Sequence, residues 1–415
     1  MKKSHILLIS FFINAIMLGL ACNITGEPTP TLPGVHSTSP SPILTTTLAP
    51  ASPIPTASPM LASPTPTPLP ALTATPLPTI LPSASPLAPT RTMIPFLPAN
   101  LAIIGPQNVP ELTRVAVLPE QSASVVAFSP DSRRVAAGFF ATNQVKIWDL
   151  ANGQELFTLS GHIDPRIISY LAFSPDGSRL ASGAQAWDGQ NDSLILWDTG
   201  TGRELQRFNG VLGALSPDWR LVALARREQS QGVTLILTEL ASGKEIHTLK
   251  APGDIYGVVF SPDGQRVAAK MYNVLQDLFS FWSVDSGQLE RTLYNWAGFS
   301  YSPDGRFIAT LVETGSGMDK GELDIFDAVS FKWITTLGKD ADTLWYAYPA
   351  FSPDGQVLAA SYGDHVIIWD TQTWKELISL PASRPTGFAF SPDGRILTTY
   401  TYSGMVHLWG VVEVK

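Results

Sequence analysis

From about residue 111 onward, apolar and polar residues alternate in short runs of four to eight positions, the period of half-buried strands. The runs come in a fixed order. One such as "SVVAFSPD" (124–131) or "YGVVFSPD" (256–263) is followed by "SRLASGA" (178–184) or "QVLAASY" (356–362). A third ends near a large aromatic: "VKIWD", "LILWD", "FSFWS", "LDIFD", "VIIWD" and "VHLWG", with Thr238 at that place in "LILTE". A fourth follows, as in "QELFTL" or "KELISL".

Between the first and second runs, Ser-Pro-Asp recurs at Ser129, Ser174, Ser216, Ser261, Ser302, Ser352 and Ser391, at spacings of 45, 42, 45, 41, 50 and 39 residues. Five copies continue with Gly, one with Ser132 and one with Trp219. Pro at the second position and Gly at the fourth are the preferences of a type I turn. A second turn, as in "DLANG" or "SVDSG", joins the third and fourth runs. Four short antiparallel strands per ~43 residues make one propeller blade. The expected fold is all-β: a seven-bladed β-propeller of four-stranded antiparallel blades over residues 99–415. The last copy stops after its third strand, whereas "ELTRVAVLPE" (111–120) is an orphan run near the start. It is expected to pair into the last blade, close the ring and remove two exposed sheet edges.

These residues resemble the WD-repeat family. The Trp-Asp pairs are Trp148-Asp149, Trp197-Asp198 and Trp369-Asp370, and Gly161-His162 matches the family's Gly-His. With Trp282 and Trp409, these are expected to be structural. The family's buried Asp–His–Ser–Trp network is approached only in the second copy, by His162, Ser182 and Trp197, with Asn191 or Asp192 near the Asp place.

The N-terminal quarter has different chemistry. Basic Met1-Lys2-Lys3 precedes an apolar run from Ile6 to Leu20, the form of a secretory signal. Fifteen residues are short for a span, which needs roughly 20. Leu18-Gly19-Leu20-Ala21-Cys22 resembles a bacterial lipoprotein lipobox, implying cleavage of residues 1–21 and acylation of Cys22, the chain's one cysteine. Of 35 prolines, 20 lie between Pro28 and Pro98. Proline at this density stops helix and sheet alike, so 22–98 reads as a disordered Pro/Thr/Ser-rich tether. The location implied is outside the cytoplasm, lipid-anchored to the membrane or envelope.

Net charge is −8, and acids also outnumber bases from residue 99 onward. That disfavours nucleic acid, whose phosphates need a basic face. No HExxH, G-x-S-x-G or phosphate-cradling pattern occurs, and the histidines of the repeats stand at unlike positions. No catalytic, metal or cofactor residues are assigned, and an enzyme is not expected. His162 reads as a structural residue, and the seven turn aspartates as turn formers.

In the repeats, the first-to-second and third-to-fourth turns keep nearly constant length. Variation must sit in the other two connections, which share one face of the ring and are where recognition usually lives. That face is expected to carry Trp187, Asp188, Tyr272, Trp296, Trp345, Tyr346 and Tyr348, aromatics suited to anchoring a protein or peptide. A glycan or cell-wall polymer is the alternative partner, and an enzyme of the central channel a less favoured one.

Overall fold

The computed structural model describes residues 96–413, apart from 141, 143, 164, 187–191, 210, 229–231, 273–276, 295, 314–320, 339–348, 363, 383–384 and 402–403. The signal, Cys22 and residues 23–95 of the tether therefore lie outside the described residues. The strands form seven antiparallel sheets in chain order around a ring. In blade 1, Ala123–Phe128 is innermost, followed outward by Arg134–Phe139, Gln144–Asp149 and Glu155–Ser160. Blades 2 to 6 repeat this over 165–209, 211–250, 254–294, 296–337 and 350–381. Blade 7 contributes Gly387–Phe390, Leu397–Tyr400 and Met405–Val412 from the C-terminal end.

The orphan run closes the ring as expected. Thr113–Gln121 pairs with Met405–Val412, with Thr113 opposite Gly410 and Val117 opposite His407. The arm ahead of it does more than the sequence revealed. Leu101 and Ala102 pair with Val412 and Val411. The short 3₁₀ turn Val109–Glu111 then brings Val109 and Leu112 into the seam between blades 6 and 7 beside Ile104.

The hydrophobic core lies between blades. Each of the seven buried clusters fills one seam. Period-two alternation explains this: Val135 and Ala137 face the seam with blade 7, and Ala136 between them faces blade 2. Blades with two covered faces need apolar residues on both, so these strands read as more apolar than a one-sided sheet. The outer strands pair through a β-bulge, as between Ile147 and Trp148 or Leu237 and Thr238. A bulged outer strand is a poor template for a further one.

A repeated contact closes the seams near the third-to-fourth turns. The fifth residue of each turn stands at positive φ: Gly153, Gly202, Gly243, Gly287, Phe331 and Trp374. Where it is Gly, a ring from elsewhere usually takes the space of the missing side chain. Phe96 covers Gly153, Phe157 of blade 1 covers Gly202, and His247 of blade 3 covers Gly287. In blades 5 and 6 the polarity is reversed, and the turn itself supplies the ring. Phe331 packs against Phe281 at 4.8 Å and under Arg266 and Arg291, and Trp374 against Phe307 at 5.2 Å. Non-Gly residues in this backbone region carry strain of ~1 kcal/mol or more, offset here by the ring contact. Arginines add a second stitch: Arg134 Nη2 donates to Gly177 O at 2.9 Å and Arg266 Nη1 to Ala328 O at 3.0 Å.

Candidate interaction faces

The two faces of the ring are built differently. In each Ser-Pro-Asp turn the Ser Oγ donates to the Asp Oδ1, as in Ser174 to Asp176 at 2.5 Å, and accepts from the backbone five residues on, as from Arg179 N at 2.9 Å. The carboxylate also accepts Ser178 N at 3.0 Å, and Gly177 N closes the turn on Ser174 O at 2.8 Å. These bonds favour the anion, with that from Ser174 contributing most, and hold Asp176 down at about 2. The carboxylates are thus turn formers. The Asp of each Trp-Asp pair does the same for the next turn: Asp149 accepts Ala151 N at 2.7 Å, Asp198 Thr201 N at 2.7 Å and Asp370 Thr373 N at 2.6 Å.

First-to-second turns span five residues between strands in blades 1 to 6 and six in blade 7, and third-to-fourth turns five throughout. On the opposite face the connections run from one residue, at Ser122, to twelve, at 338–349. The expected division into an invariant and a variable face is therefore present.

The tryptophans that end the third strands are core residues. Trp148, Trp197, Trp282 and Trp369 are buried, and Trp409 is half-buried with Nε1 donating to Thr399 Oγ1 at 3.0 Å. His162 is likewise buried and structural. Trp197 Nε1 donates to Ser182 Oγ at 2.8 Å, leaving that hydroxyl's proton for His162 Nε2 at 2.7 Å. The neutral ring then donates from Nδ1 to Ser193 Oγ at 2.7 Å. Ser193 takes the place expected for Asn191 or Asp192; Asn191 lies outside the described residues.

Burial first, and then the Arg207 charge, lower the His162 pKa from 6.5 to about 4. The folded state therefore resists a proton that the unfolded chain accepts. This contribution to stability is complete above pH 6.5 and is lost as pH falls toward 4. Between pH 7 and 4.5 the wild type should lose about 2–3 kcal/mol more stability than His162→Leu, read from urea unfolding of both proteins.

Blade 1 lacks this network. Trp148 Nε1 is buried with no hydrogen-bond partner among the described residues, because Ala137 stands where blade 2 has Ser182. Ala137→Ser should supply the acceptor and raise stability by about 1 kcal/mol, seen as a higher thermal midpoint.

The expected binding residues fare unevenly. Tyr272 ends the strand Arg266–Tyr272 at the variable face. Trp187, Asp188, Trp345, Tyr346 and Tyr348 lie outside the described residues. Trp296 is corrected: at 3 % exposure it packs in the blade 4–5 seam against Phe279, Phe281, Phe299 and Phe326. It opens an inner strand, where the register turns it into the core. Among the described residues no group of three or more His, Cys, Asp or Glu side chains is placed to hold a metal ion.

The model of the WD domain, G-beta repeat, matches residues 113–149, 153–198, 243–269 and 347–370. The chain carries WD40 repeats. The first match begins with the closing strand Thr113–Gln121 and runs through the third strand of blade 1, so a WD40 repeat is offset by one strand from a blade. A search of curated proteins finds no significant match. Among solved structures, the β-propeller domain of Myceliophteria thermophila Cps50 (Swd1) superposes with a TM-score of 0.58 at 17% identity, over 72% of this chain and all (100%) of that one. Kuenenia stuttgartiensis hydrazine synthase superposes with a TM-score of 0.57 at 15% identity, over 72% of this chain and 98% of that one. At such identity both likenesses concern the fold alone. WD40 propellers are typically protein-interaction scaffolds, and the hydrazine synthase match shows that some propellers occur in enzymes.

Proposed function

We propose that this chain is an extracytoplasmic scaffold, tethered to the membrane through an acylated Cys22, that binds a protein or peptide on its variable-loop face. The observation that carries the binding reading is the asymmetry of the ring: uniform, internally bonded turns on one face, and connections of one to twelve residues on the other. Variable loops on a rigid scaffold can change partner without disturbing the core. Trp187, Trp345 and Tyr346 belong to two of the three longest connections, 187–192 and 338–349, and are the proposed anchors. The N-terminal basic and apolar residues, the lipobox-like run and the proline-rich segment support the location. A tether concentrates the propeller near membrane partners.

The test is cross-linked capture by the full chain in envelope extract, beside a variant with Trp187, Trp345 and Tyr346 changed to Ala. A specific protein captured by the wild type and lost by the folded variant is expected. Capture of the same protein by both places recognition elsewhere. A parallel Cys22→Ser chain should lose fatty-acid labelling and release the protein from membranes, whereas retention would contradict the anchor.

A further inference from the structure

One seam lacks its plug. Gly243, the positive-φ residue of the third-to-fourth turn in blade 3, has nothing within 4 Å of the place a side chain would occupy. The blade 2 residue equivalent to the plugging Phe157 is Gln206, opposite Leu196 as Phe157 is opposite Ile147. Gln206 has no ring to lay over Gly243 and lines the open space instead. This seam also holds only six fully buried apolar side chains among the described residues. An open groove of about 470 Å³ results on the invariant face, a volume within the range of ligand sites.

Its lining has a definite chemistry. Trp219 forms one wall, in the turn position where five other copies have Gly, at φ 58°. A bulky residue in that region is strained, and such strain concentrates at functional sites. Arg179 and Arg220 flank it, and neither guanidinium has a hydrogen bond or ion pair among the described residues. Gln206 adds a donor, while the lining carboxylate of Glu239 is occupied by Ser242 Oγ. The other seams show what fits such a place: a planar ring, which in blade 5 sits beneath two arginines.

We infer that the groove between blades 2 and 3 receives an aromatic side chain of a partner peptide whose neighbouring carboxylates pair with Arg179 and Arg220. The ring takes the role that Phe157 plays one seam away, against Trp219 and Leu240. The carboxylates neutralise the two arginines with bidentate hydrogen bonds. This surface lies on the face opposite the variable loops, so the inference does not depend on recognition there.

The test is selection of a random dodecapeptide display library on the full chain. Enriched peptides should carry Phe, Tyr or Trp beside Asp or Glu. Their affinity should fall about tenfold or more in Arg220→Glu, a change at an exposed position. Gln206→Phe should place an internal ring over Gly243, abolish peptide binding and raise the thermal midpoint. Enrichment without acidic-aromatic character, or equal affinity for wild type and Arg220→Glu, would overturn the inference. So would undiminished binding by a folded Gln206→Phe chain.

Discussion

Deleting residues 99–120 is expected to leave a chain that no longer folds cooperatively. The arm buries Leu101, Ile104, Val109, Leu112 and Leu118, each between 0 and 6 % exposed. Burying one such side chain contributes about 1.5–3 kcal/mol, so five contribute roughly 10 kcal/mol. That equals the whole net stability of a typical domain, about 5–15 kcal/mol. The loss falls on two seams at once, because Ile104, Val109 and Leu112 pack between blades 6 and 7 while Leu101 and Leu118 pack between blades 7 and 1. Met405–Val412 would also become an unpaired, apolar edge, which favours association between chains. Circular dichroism on heating should show no sharp transition, and sedimentation should show aggregates. A truncated monomer with an unchanged midpoint would refute the account of ring closure.

Trp296→Ala should destabilise the propeller by about 3–5 kcal/mol, the usual cost of removing a fully packed aromatic. The ring lies 5.0 Å from Phe326 and about 6 Å from Phe279, Phe281 and Phe299, so its removal leaves a cavity lined by rings fixed in two blades. A surface anchor at the same position would change stability by less than ~0.5 kcal/mol. Urea unfolding of the wild type and this variant separates the two roles. A midpoint that does not move would return Trp296 to the variable face.

The blade count, the strand order and the closing strand were legible because each rests on local chemistry repeated seven times. Ser-Pro-Asp marks one turn, Gly five residues after the aromatic marks the next, and alternation marks the strands between. Residues that act across a seam were harder to read. Trp296 looks like the loop aromatics in the sequence, and only the register of blade 5 against blade 4 shows that it points inward. Phe331 and Trp374 stand where earlier copies have Gly, a visible departure whose meaning depends on the neighbouring blade. Ser193 as the fourth member of the His162 network was hidden by the more obvious Asn191-Asp192 beside it. The unplugged seam at Gly243 was harder to see, since Gln206, where the neighbouring repeats have Phe157 and His247, matters only through the ring it does not lay over the next blade's turn.

The central claim is that recognition belongs to the variable face. Hydrogen exchange of the full chain, free and bound to the captured partner, tests it most directly. Slowed exchange in 187–192 and 338–349, with the Ser-Pro-Asp turns unchanged, is the result expected. Protection confined to the Ser-Pro-Asp turns, with 187–192 and 338–349 exchanging as in the free protein, would contradict it.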